Sequence, residues 1–247
     1  MSDMTLQIDR GAHGECMIWN DAVVDGVDSQ WFDPTWWRAR NALLGEAEGR
    51  GAAYFLQGVD GHEWVLRHNR RGGALARVNH DRFVYTGLER ARPVRELRLI
   101  ATLRTHGLPV PEPIAARVMP WLGLYRGDVI TRRIVDAQPL ADRLAEQALA
   151  STAWQQLGAV LARFHRAGLW HADLNARNVL VDTHDTFHLI DFDKARLRAP
   201  GTWRQANLDR FHRSLTKFSD SSLTFNFLDA DWRALRGGYV SVLAGAL

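Results

Sequence analysis

The stretch that decides the fold is LWHADLNARNVLVD, residues 169–182, followed closely by FHLIDFD, residues 187–193. Before it, apolar side chains recur at helical spacing from Trp154 to Phe164, which predicts an amphipathic helix. Within it, a loop of polar residues is followed by two short strand-like runs that flank a polar turn. The sequence therefore predicts a helix, a polar loop and a β-hairpin, in that order.

Three polar residues in this stretch have the chemistry that phosphoryl transfer requires. The reaction needs a carboxylate beside the attacking hydroxyl, and oxygen ligands that hold Mg²⁺ against the nucleotide phosphates. Asp173 is predicted to orient and deprotonate the acceptor hydroxyl, while Asn178 and Asp191 are predicted to coordinate the metal. His171 is interpreted as a structural residue beneath the loop. The alternative is an unrelated fold in which Asp173 caps a helix and the other two residues form turns.

Composition limits the class of protein. The chain has 247 residues, of which 46% are hydrophobic and 24% charged, values typical of a globular protein. A single cysteine, Cys16, excludes a disulfide framework and a four-cysteine zinc site, and the ten histidines show no zinc spacing. Residues 1–10 contain no signal-peptide pattern, and no run of about 18 apolar residues occurs. We therefore expect a cytoplasmic protein that spans no membrane.

Arginine is concentrated in residues 67–82, 90–104 and 196–217, although the formal net charge is only +3. Such clusters attract phosphates or anionic lipid headgroups, and the alternative is that they are simply solvated on helix surfaces. Ten tryptophans add to the case for a membrane interface, although most are expected in the core. No nucleic-acid partner is predicted, because apolar core residues interrupt the basic stretches and no recognition motif accompanies them.

The part of the chain before the motif is rich in strand patterns. Residues 42–66 are predicted to form three strands, separated by a glycine loop and a tight turn. Residues 90–106 have the apolar spacing of an amphipathic helix, and strand-like sequence follows at 122–134. After about residue 135 the pattern is mostly helical. A ligand is expected in a cleft between the two resulting lobes.

The pattern H-x-D-x-x-x-x-N at 171–178, followed by Asp191-Phe192, resembles the catalytic and metal-binding loops of the protein-kinase-like fold. The resemblance implies an α+β, bilobal architecture, with a β-rich N-lobe containing one main helix and a mainly helical C-lobe. Residues 1–135 would comprise an N-terminal segment and the nucleotide-binding lobe. Residues 136–247 would form the helical lobe with the catalytic and metal-binding loops. The resemblance also implies ATP and Mg²⁺ as cofactors.

The same resemblance identifies candidate nucleotide-binding residues in the first lobe. Gly49 and Gly51 resemble an abbreviated form of the loop that covers the nucleotide, although glycines also make ordinary hairpin turns. Arg67 stands where kinases place the strand lysine that binds the α- and β-phosphates, and Glu96 stands where its carboxylate partner belongs. The alternatives are a surface Arg67 without a role, or Arg77 as the phosphate contact.

Several features differ from protein kinases and favour a small or lipid-linked acceptor. The residue after Asp191-Phe192 is Asp193 rather than glycine, Asn175 stands where many kinases have lysine, and no A-P-E motif or long activation segment follows. Over most of the chain, the sequence resembles the 3-deoxy-D-manno-octulosonic acid (Kdo) kinases of the lipopolysaccharide kinase group. The resembling stretches are WVLRHNRRGG (64–73), YTGLERAR (85–92), GLPVPEPIAARV (107–118), HADLNARNVLVD (171–182), LIDFDKARLR (189–198) and WRQANLDR (203–210).

That resemblance implies transfer of the γ-phosphate of ATP to the 4-hydroxyl of Kdo on a Kdo-lipid A precursor, in lipopolysaccharide core biosynthesis. The enzyme would be a peripheral protein on the cytoplasmic face of the bacterial inner membrane, in contact with its anionic surface. Lys194, Arg196 and Arg198, just after Asp191, are candidates for binding the acid group of the acceptor.

Two other functions are compatible with the motif. A kinase of a soluble small molecule, such as an aminoglycoside or choline, would share the H-x-D-x-x-x-x-N pattern. A non-catalytic pseudokinase is motivated by Arg67 and Asp193, although all three motif residues are present. The first forty residues contain no chemical motif, and the aromatic residues at 31–37 would suit either a packed or a membrane-facing cap.

Overall fold

The computed structural model describes residues 5–11, 14–47, 53–69, 82–222 and 224–245. The predicted nucleotide loop with Gly49 and Gly51, and the alternative phosphate contact Arg77, lie outside the described residues. The chain forms two compact units. Met1–Ala101 with Pro111–Arg133 make up the first unit, and Thr102–Val110 with Ile134–Leu247 make up the second.

Within the described residues, the first unit is an antiparallel sheet of eight strands with two α-helices. The strands are β1 (Leu6–Arg10), β2 (Cys16–Asn20), β3 (Leu43–Ala47), β4 (Ala53–Gln57), β5 (Glu63–His68), β6 (Phe83–Val84), β7 (Pro113–Trp121) and β8 (Leu124–Arg132). The helices are α1 (Pro34–Arg38) and α2 (Arg92–Thr105), and the last turn of α2 belongs to the second unit. The strand order is β1-β2-β7-β8-β5-β4-β3, and β6 pairs with the start of β8.

The three strands predicted over residues 42–66 are confirmed as β3, β4 and β5. On β5, Trp64 and Leu66 are fully buried, while the residues between and beside them are partly exposed. This alternation follows from the two-residue period of a strand, which turns every second side chain to the core. The turn between β4 and β5 contains Gly61 at a φ of 79°, a left-handed conformation that favours glycine.

The amphipathic helix predicted for residues 90–106 is confirmed as α2. Val94, Leu97 and Leu103 are fully buried along one face of it. Gly107, at a φ of 65°, follows its last turn in the conformation that commonly ends a helix. The sequence pattern does not predict β1 and β2, which extend the sheet by pairing β2 with the distant strand β7.

The aromatic residues at 31–37 form a packed cap in which only Trp36 is partly exposed, so the membrane-facing interpretation is wrong for the other three. Trp31, Phe32 and Trp37 are buried in one apolar cluster with Trp64 of β5. The ring centroids of Trp31 and Trp37 lie 5.4 and 6.0 Å from that of Trp64, and the Trp37 indole N–H donates to the Trp31 carbonyl at 2.7 Å. Each indole therefore buries a large apolar area in the interior of the first unit.

The second unit is mainly helical, and the predicted α+β class is confirmed. Its helices are α3 (Leu140–Glu146), α4 (Ser151–Arg166), α5 (Trp203–Ser221) and α6 (Asp229–Leu243), and its strands are β9 (Ala137–Pro139), β10 (Leu169–Trp170), β11 (Val179–Asp182), β12 (Phe187–Leu189) and β13 (Arg196–Leu197). The strands form a β12-β11-β9 sheet and a β10-β13 ribbon. Among the described residues, no helix combines the length and apolar character that crossing a membrane requires.

Helices α4 and α6 approach each other closely because glycines lie at their contact. A Cβ atom on Gly158 would lie 1.9 Å from the Leu235 carbonyl oxygen, and one on Gly238 would lie 2.0 Å from that of Gln155. The atoms that clash belong to the backbone, so the helices must move apart to admit a methyl group. We expect Gly158→Ala to lower the free energy of unfolding by about 3 kcal/mol, measured by urea denaturation.

Gly237, on the partner helix α6 next to Gly238, provides a matched control. It is exposed, and a Cβ placed there has no heavy atom within 4 Å. Because alanine favours a helix over glycine by about 1 kcal/mol, Gly237→Ala should leave stability unchanged or raise it. Equal destabilisation by the two substitutions would contradict the close helix contact.

His165, near the end of α4, is buried in the same region. Its Nδ1 atom lies 2.7 Å from the Tyr239 hydroxyl oxygen, and its ring packs edge-on against Trp203. Burial lowers the pKa of His165 to about 4. In the unfolded chain the His165 ring becomes protonated near pH 6.5, whereas in the folded protein it stays neutral down to about pH 4. The free energy of unfolding should therefore fall with decreasing pH, by about 2 kcal/mol at pH 5 from this group.

Urea denaturation of the wild-type and His165→Gln proteins at pH 8 and pH 5 measures this effect. The free energy of unfolding of the wild type should fall between pH 8 and pH 5. In the variant this fall should be smaller by about 2 kcal/mol, because glutamine does not titrate. The exposed His62 is the control residue, and His62→Gln should keep the wild-type pH dependence. An unchanged pH dependence in His165→Gln would show that this histidine is not held neutral.

Candidate active site

The loop between β10 and β11 is closed by side-chain amides. The Asp173 carbonyl accepts hydrogen bonds from Nδ2 of Asn178 at 2.8 Å and from Nδ2 of Asn175 at 3.0 Å. The Asn175 oxygen in turn accepts from the backbone N–H groups of Arg177 and Asn178. Because the Asn178 nitrogen is committed to a carbonyl, its oxygen is the atom with capacity to bind a cation. Asn175, noted in the sequence only as a departure from kinases, therefore shapes the loop.

His171 connects this loop to the segment that carries Asp191. Its Nε2 donates to the Ile190 carbonyl at 3.0 Å, and its Nδ1 accepts from the Asp173 backbone N–H at 3.3 Å. The hydrogen bonds assign the ring hydrogen to Nε2. Burial lowers the pKa of His171, which keeps the ring neutral in this arrangement. The prediction that His171 is a structural residue beneath the loop is confirmed.

Helix α5 supports the loop from below through two side chains. Asn207 accepts from the His171 N–H at 3.0 Å and donates to the His171 carbonyl at 2.9 Å, and it is almost fully buried. Ser214, two helical turns later, accepts from the Ala176 N–H at 3.1 Å. The sequence motif did not predict a role for Asn207 or Ser214. The signal for Asn207 is its place in the apolar stripe of α5, between the buried Trp203 and Phe211.

Asp191 follows the hairpin strand β12 in an unusual conformation. Its φ of 66° lies in the left-handed region, which aspartate and asparagine tolerate better than most residues. Phe192 beside it is buried and packs against the His171 ring at 5.5 Å, while Asp191 itself is half-buried. The Ile190 N–H donates to the Asn178 carbonyl at 3.1 Å. Such local strain at a polar residue marks a candidate functional position.

These contacts bring together the three motif residues of the second unit. Asn178 bonds directly to the backbone of Asp173. Both segments are also joined to Ile190, the residue before Asp191: the Asp173 segment through the His171 ring, and Asn178 through its carbonyl. The Asp173 side chain is 64% exposed and lies in a turn, so it does not cap any of the described helices. Arg210 of α5 comes within 3.8 Å of its carboxylate.

The donor set fits magnesium better than zinc. An amide oxygen and a carboxylate are hard ligands of the kind that Mg²⁺ prefers, with phosphate and water completing its coordination. In the part of the chain that the structure describes, no three His, Cys, Asp or Glu side chains cluster as a metal site. A closed structural metal cage is therefore not formed by these residues, whereas an open two-ligand site suits a metal that arrives with a nucleotide.

In the first unit, Arg67 of β5 and Glu96 of α2 form an ion pair. The Glu96 side chain is fully buried, and the Arg67 side chain is 30% exposed. The pair therefore fixes the orientation of the arginine, whose side chain is partly exposed. A buried carboxylate requires such a partner, since a charge without one is costly to remove from water.

Comparison with known proteins adds the family to this geometry. The model of the lipopolysaccharide kinase (Kdo/WaaP) family matches residues 34–239. The 3-deoxy-D-manno-octulosonic acid kinase of Actinobacillus succinogenes is 37% identical over 227 residues, covering 90% of this chain and 93% of the relative. Proteins of the same name from Vibrio vulnificus strain CMCP6 and Stenotrophomonas maltophilia strain K279a are 37% and 42% identical, covering 87% and 84% of this chain and 93% and 82% of theirs. The resemblance noted in the sequence is confirmed, and the chain belongs to the lipopolysaccharide kinase (Kdo/WaaP) family.

Proposed function

We propose that this chain is an ATP-dependent phosphotransferase that phosphorylates Kdo on a Kdo-lipid A precursor, at the 4-hydroxyl, in lipopolysaccharide core biosynthesis. The observation that carries the proposal is the match to a 3-deoxy-D-manno-octulosonic acid kinase over 90% of the chain. The matched part includes the loop with Asp173 and Asn178 and the segment with Asp191, and their geometry suits phosphoryl transfer.

Asp173 is the proposed catalytic base. Its carboxylate is exposed on a loop whose backbone is fixed by His171 and by two asparagine amides. As the acceptor hydroxyl oxygen forms its bond to the γ-phosphorus, the hydroxyl proton passes to the Asp173 carboxylate, and ADP leaves with the bond electrons. Arg210 places a positive charge beside this position, which favours an anionic acceptor.

Asn178 and Asp191 are the proposed ligands of Mg²⁺, which when bound neutralises charge on the nucleotide phosphates. The Asn178 amide is oriented by its bond to the Asp173 carbonyl, so its oxygen is held in place before the metal arrives. His171 acts as a positioning residue, since it ties the loop of Asp173 to the residue before Asp191. Preorganised groups of this kind need little rearrangement during the reaction.

Arg67, held by Glu96, is the proposed contact to the nucleotide phosphates, together with the loop of Gly49 and Gly51. The planar guanidinium fork can bind two oxygens of one phosphate in a fixed geometry, whereas the ammonium of a lysine acts as a compact point charge. Residues 1–135 would thus serve as the N-terminal segment and nucleotide-binding lobe, and residues 136–247 as the helical lobe. A raised KM for ATP in Glu96→Gln, with kcat less affected, would check the role of this pair.

The β10-β13 ribbon is the proposed contact for the acid group of the acceptor. Arg196 and Arg198 are exposed, and their guanidinium carbons lie 4.7 and 5.5 Å from the ring centroid of Trp170. Trp170 ends β10 and directly precedes His171, so the ribbon leads into the loop of Asp173. Lys194 is exposed nearby in sequence and belongs to the same proposal. A fixed guanidinium pair suits a sugar carboxylate.

The enzyme is further proposed to work as a peripheral protein on the cytoplasmic face of the bacterial inner membrane, without a nucleic-acid partner. The acceptor carries acyl chains and lipid A phosphates, so an arginine-rich surface would attract it.

Mass spectrometry of a detergent-dispersed Kdo-lipid A precursor, incubated with the protein, ATP and Mg²⁺, tests the function. The expected result is one added phosphate per molecule, located on the 4-hydroxyl of Kdo by NMR. Phosphorylation of choline or an aminoglycoside in place of this acceptor would replace the proposal with a small-molecule kinase. Failure to transfer phosphate to any acceptor, by a protein that binds ATP, would identify a pseudokinase.

A further inference from the structure

The hairpin of β7 and β8 ends in an exposed apolar tip. Trp121 is 57% exposed and Leu122, in the turn, is 81% exposed. Val84 of β6, which pairs with Leu124 at the start of β8, is 62% exposed beside them. We call this surface the aromatic tip, and define it as residues 119–126 together with Arg82 and Val84.

The turn of the aromatic tip carries an apolar residue where the backbone disfavours one. Leu122 and Gly123 are the two residues between β7 and β8, with φ values of 47° and 75°. Two-residue hairpin turns with both residues left-handed strongly favour Asn-Gly or Asp-Gly. A leucine there is sterically unfavourable, and its side chain is left in water. Folding alone would be better served by asparagine, so Leu122 points to a function of the tip.

The aromatic tip also carries positive charge. The Arg82 guanidinium carbon lies 4.6 Å from the Trp121 ring centroid, and Arg126 is exposed. A cavity of about 360 Å³ beside them is lined mainly by apolar side chains and these two arginines, and none of the described residues that line it carries a carboxylate. Leucine next to tryptophan, framed by arginines, is the composition of surfaces that enter a lipid interface.

We propose that the aromatic tip docks the protein on an anionic lipid bilayer. Leu122 and Trp121 enter the interfacial region, where the indole ring is favoured, while Arg82 and Arg126 contact the lipid phosphates. The tip is a two-residue projection at the end of a hairpin. A stable protein partner covers about 800 Å² on each side, whereas shallow insertion into lipid needs no such area. This inference rests on the proposed function, because a lipid-linked acceptor is the reason for the enzyme to bind a bilayer.

Sedimentation with vesicles tests the docking without ATP or acceptor. Wild-type protein should bind vesicles of phosphatidylglycerol and phosphatidylethanolamine, and bind phosphatidylcholine vesicles more weakly. Leu122→Asn should lower the partition coefficient about tenfold, a loss expected from removing one inserted apolar side chain. Because asparagine suits the left-handed turn, this variant should unfold at the same temperature as wild type or higher, which excludes misfolding as the cause.

Val59→Asn is the matched control, since Val59 is a 57% exposed aliphatic residue in a different turn of the first unit. It should bind vesicles as wild type does, while Arg82→Gln should reduce the preference for anionic lipid. Wild-type binding at background, equal loss in Leu122→Asn and Val59→Asn, or full binding by Leu122→Asn would each overturn the proposal. If the tip binds a protein partner instead of lipid, wild-type binding to vesicles should stay at background.

Phosphate transfer to the detergent-dispersed acceptor separates the two proposals. Leu122→Asn should keep the wild-type kcat there, because the tip takes no part in chemistry. A wild-type protein that binds vesicles but fails to transfer phosphate would remove the proposed function and leave the docking surface.

Discussion

The Asp173→Asn protein is expected to transfer phosphate to the Kdo acceptor about 10³-fold more slowly than wild type, the scale of effect for a lost general base. Asparagine keeps the size of the side chain but cannot accept the hydroxyl proton. The carboxylate is 64% exposed, so its loss leaves no buried group without a partner. The free energy of unfolding should therefore change by less than about 0.5 kcal/mol. Single-turnover phosphate transfer and urea denaturation provide the two measurements.

Asp220 of α5 gives the control for this substitution. It is an exposed aspartate in the same unit, and Asp220→Asn should keep the wild-type rate. A near-normal rate in Asp173→Asn would remove Asp173 from the mechanism. A large loss of stability in that variant would instead show that the carboxylate is structural.

The Asp191→Asn protein is expected to lose more than about 100-fold in rate at a fixed Mg²⁺ concentration. Changes to residues that only support a metal ligand cost 10- to 100-fold, and a direct ligand should cost more. Added Mg²⁺ should restore part of the rate, because an amide oxygen is a weaker ligand than a carboxylate. Asparagine is chosen because it tolerates the left-handed backbone at this position, where φ is 66°. The rate as a function of Mg²⁺ concentration is the measurement.

Asp136 offers a control with the same backbone conformation. Its φ is 53°, and it is exposed in the second unit ahead of β9. Asp136→Asn should leave both the rate and the Mg²⁺ requirement unchanged. If Asp191→Asn lowers the rate without any change in the Mg²⁺ dependence, the carboxylate acts in some way other than metal binding.

The elements around the motif could be predicted from local sequence. Helix α4 and the β11–β12 hairpin lie where the apolar spacing and the polar turn place them. Their hydrogen bonds join residues that are close in the chain, so a short window of sequence contains the information. The extension of the sheet by β2 could not be predicted in this way, because its partner is the distant strand β7.

The contacts that support the loop of Asp173 could not be predicted from local sequence either. Asn207 is 36 residues from His171, and both of its hydrogen bonds to that backbone depend on how α5 packs. Trp31 and Trp121 make the same point about exposure. One packs against Trp64 in the core, and the other stands at the end of a hairpin. An indole has the same preferences in both places, and only its neighbours decide which preference is met.

The sequence by itself determined which chemical groups are present and in what order: Asp173, Asn178 and Asp191, in the family pattern. The tertiary structure decided how the backbone segments of those groups are joined, through His171, and that Trp121 remains exposed at the tip. The physical reason is range. Motifs and periodicity record interactions over a few residues, whereas burial and long-range hydrogen bonds exist only once distant segments have packed together.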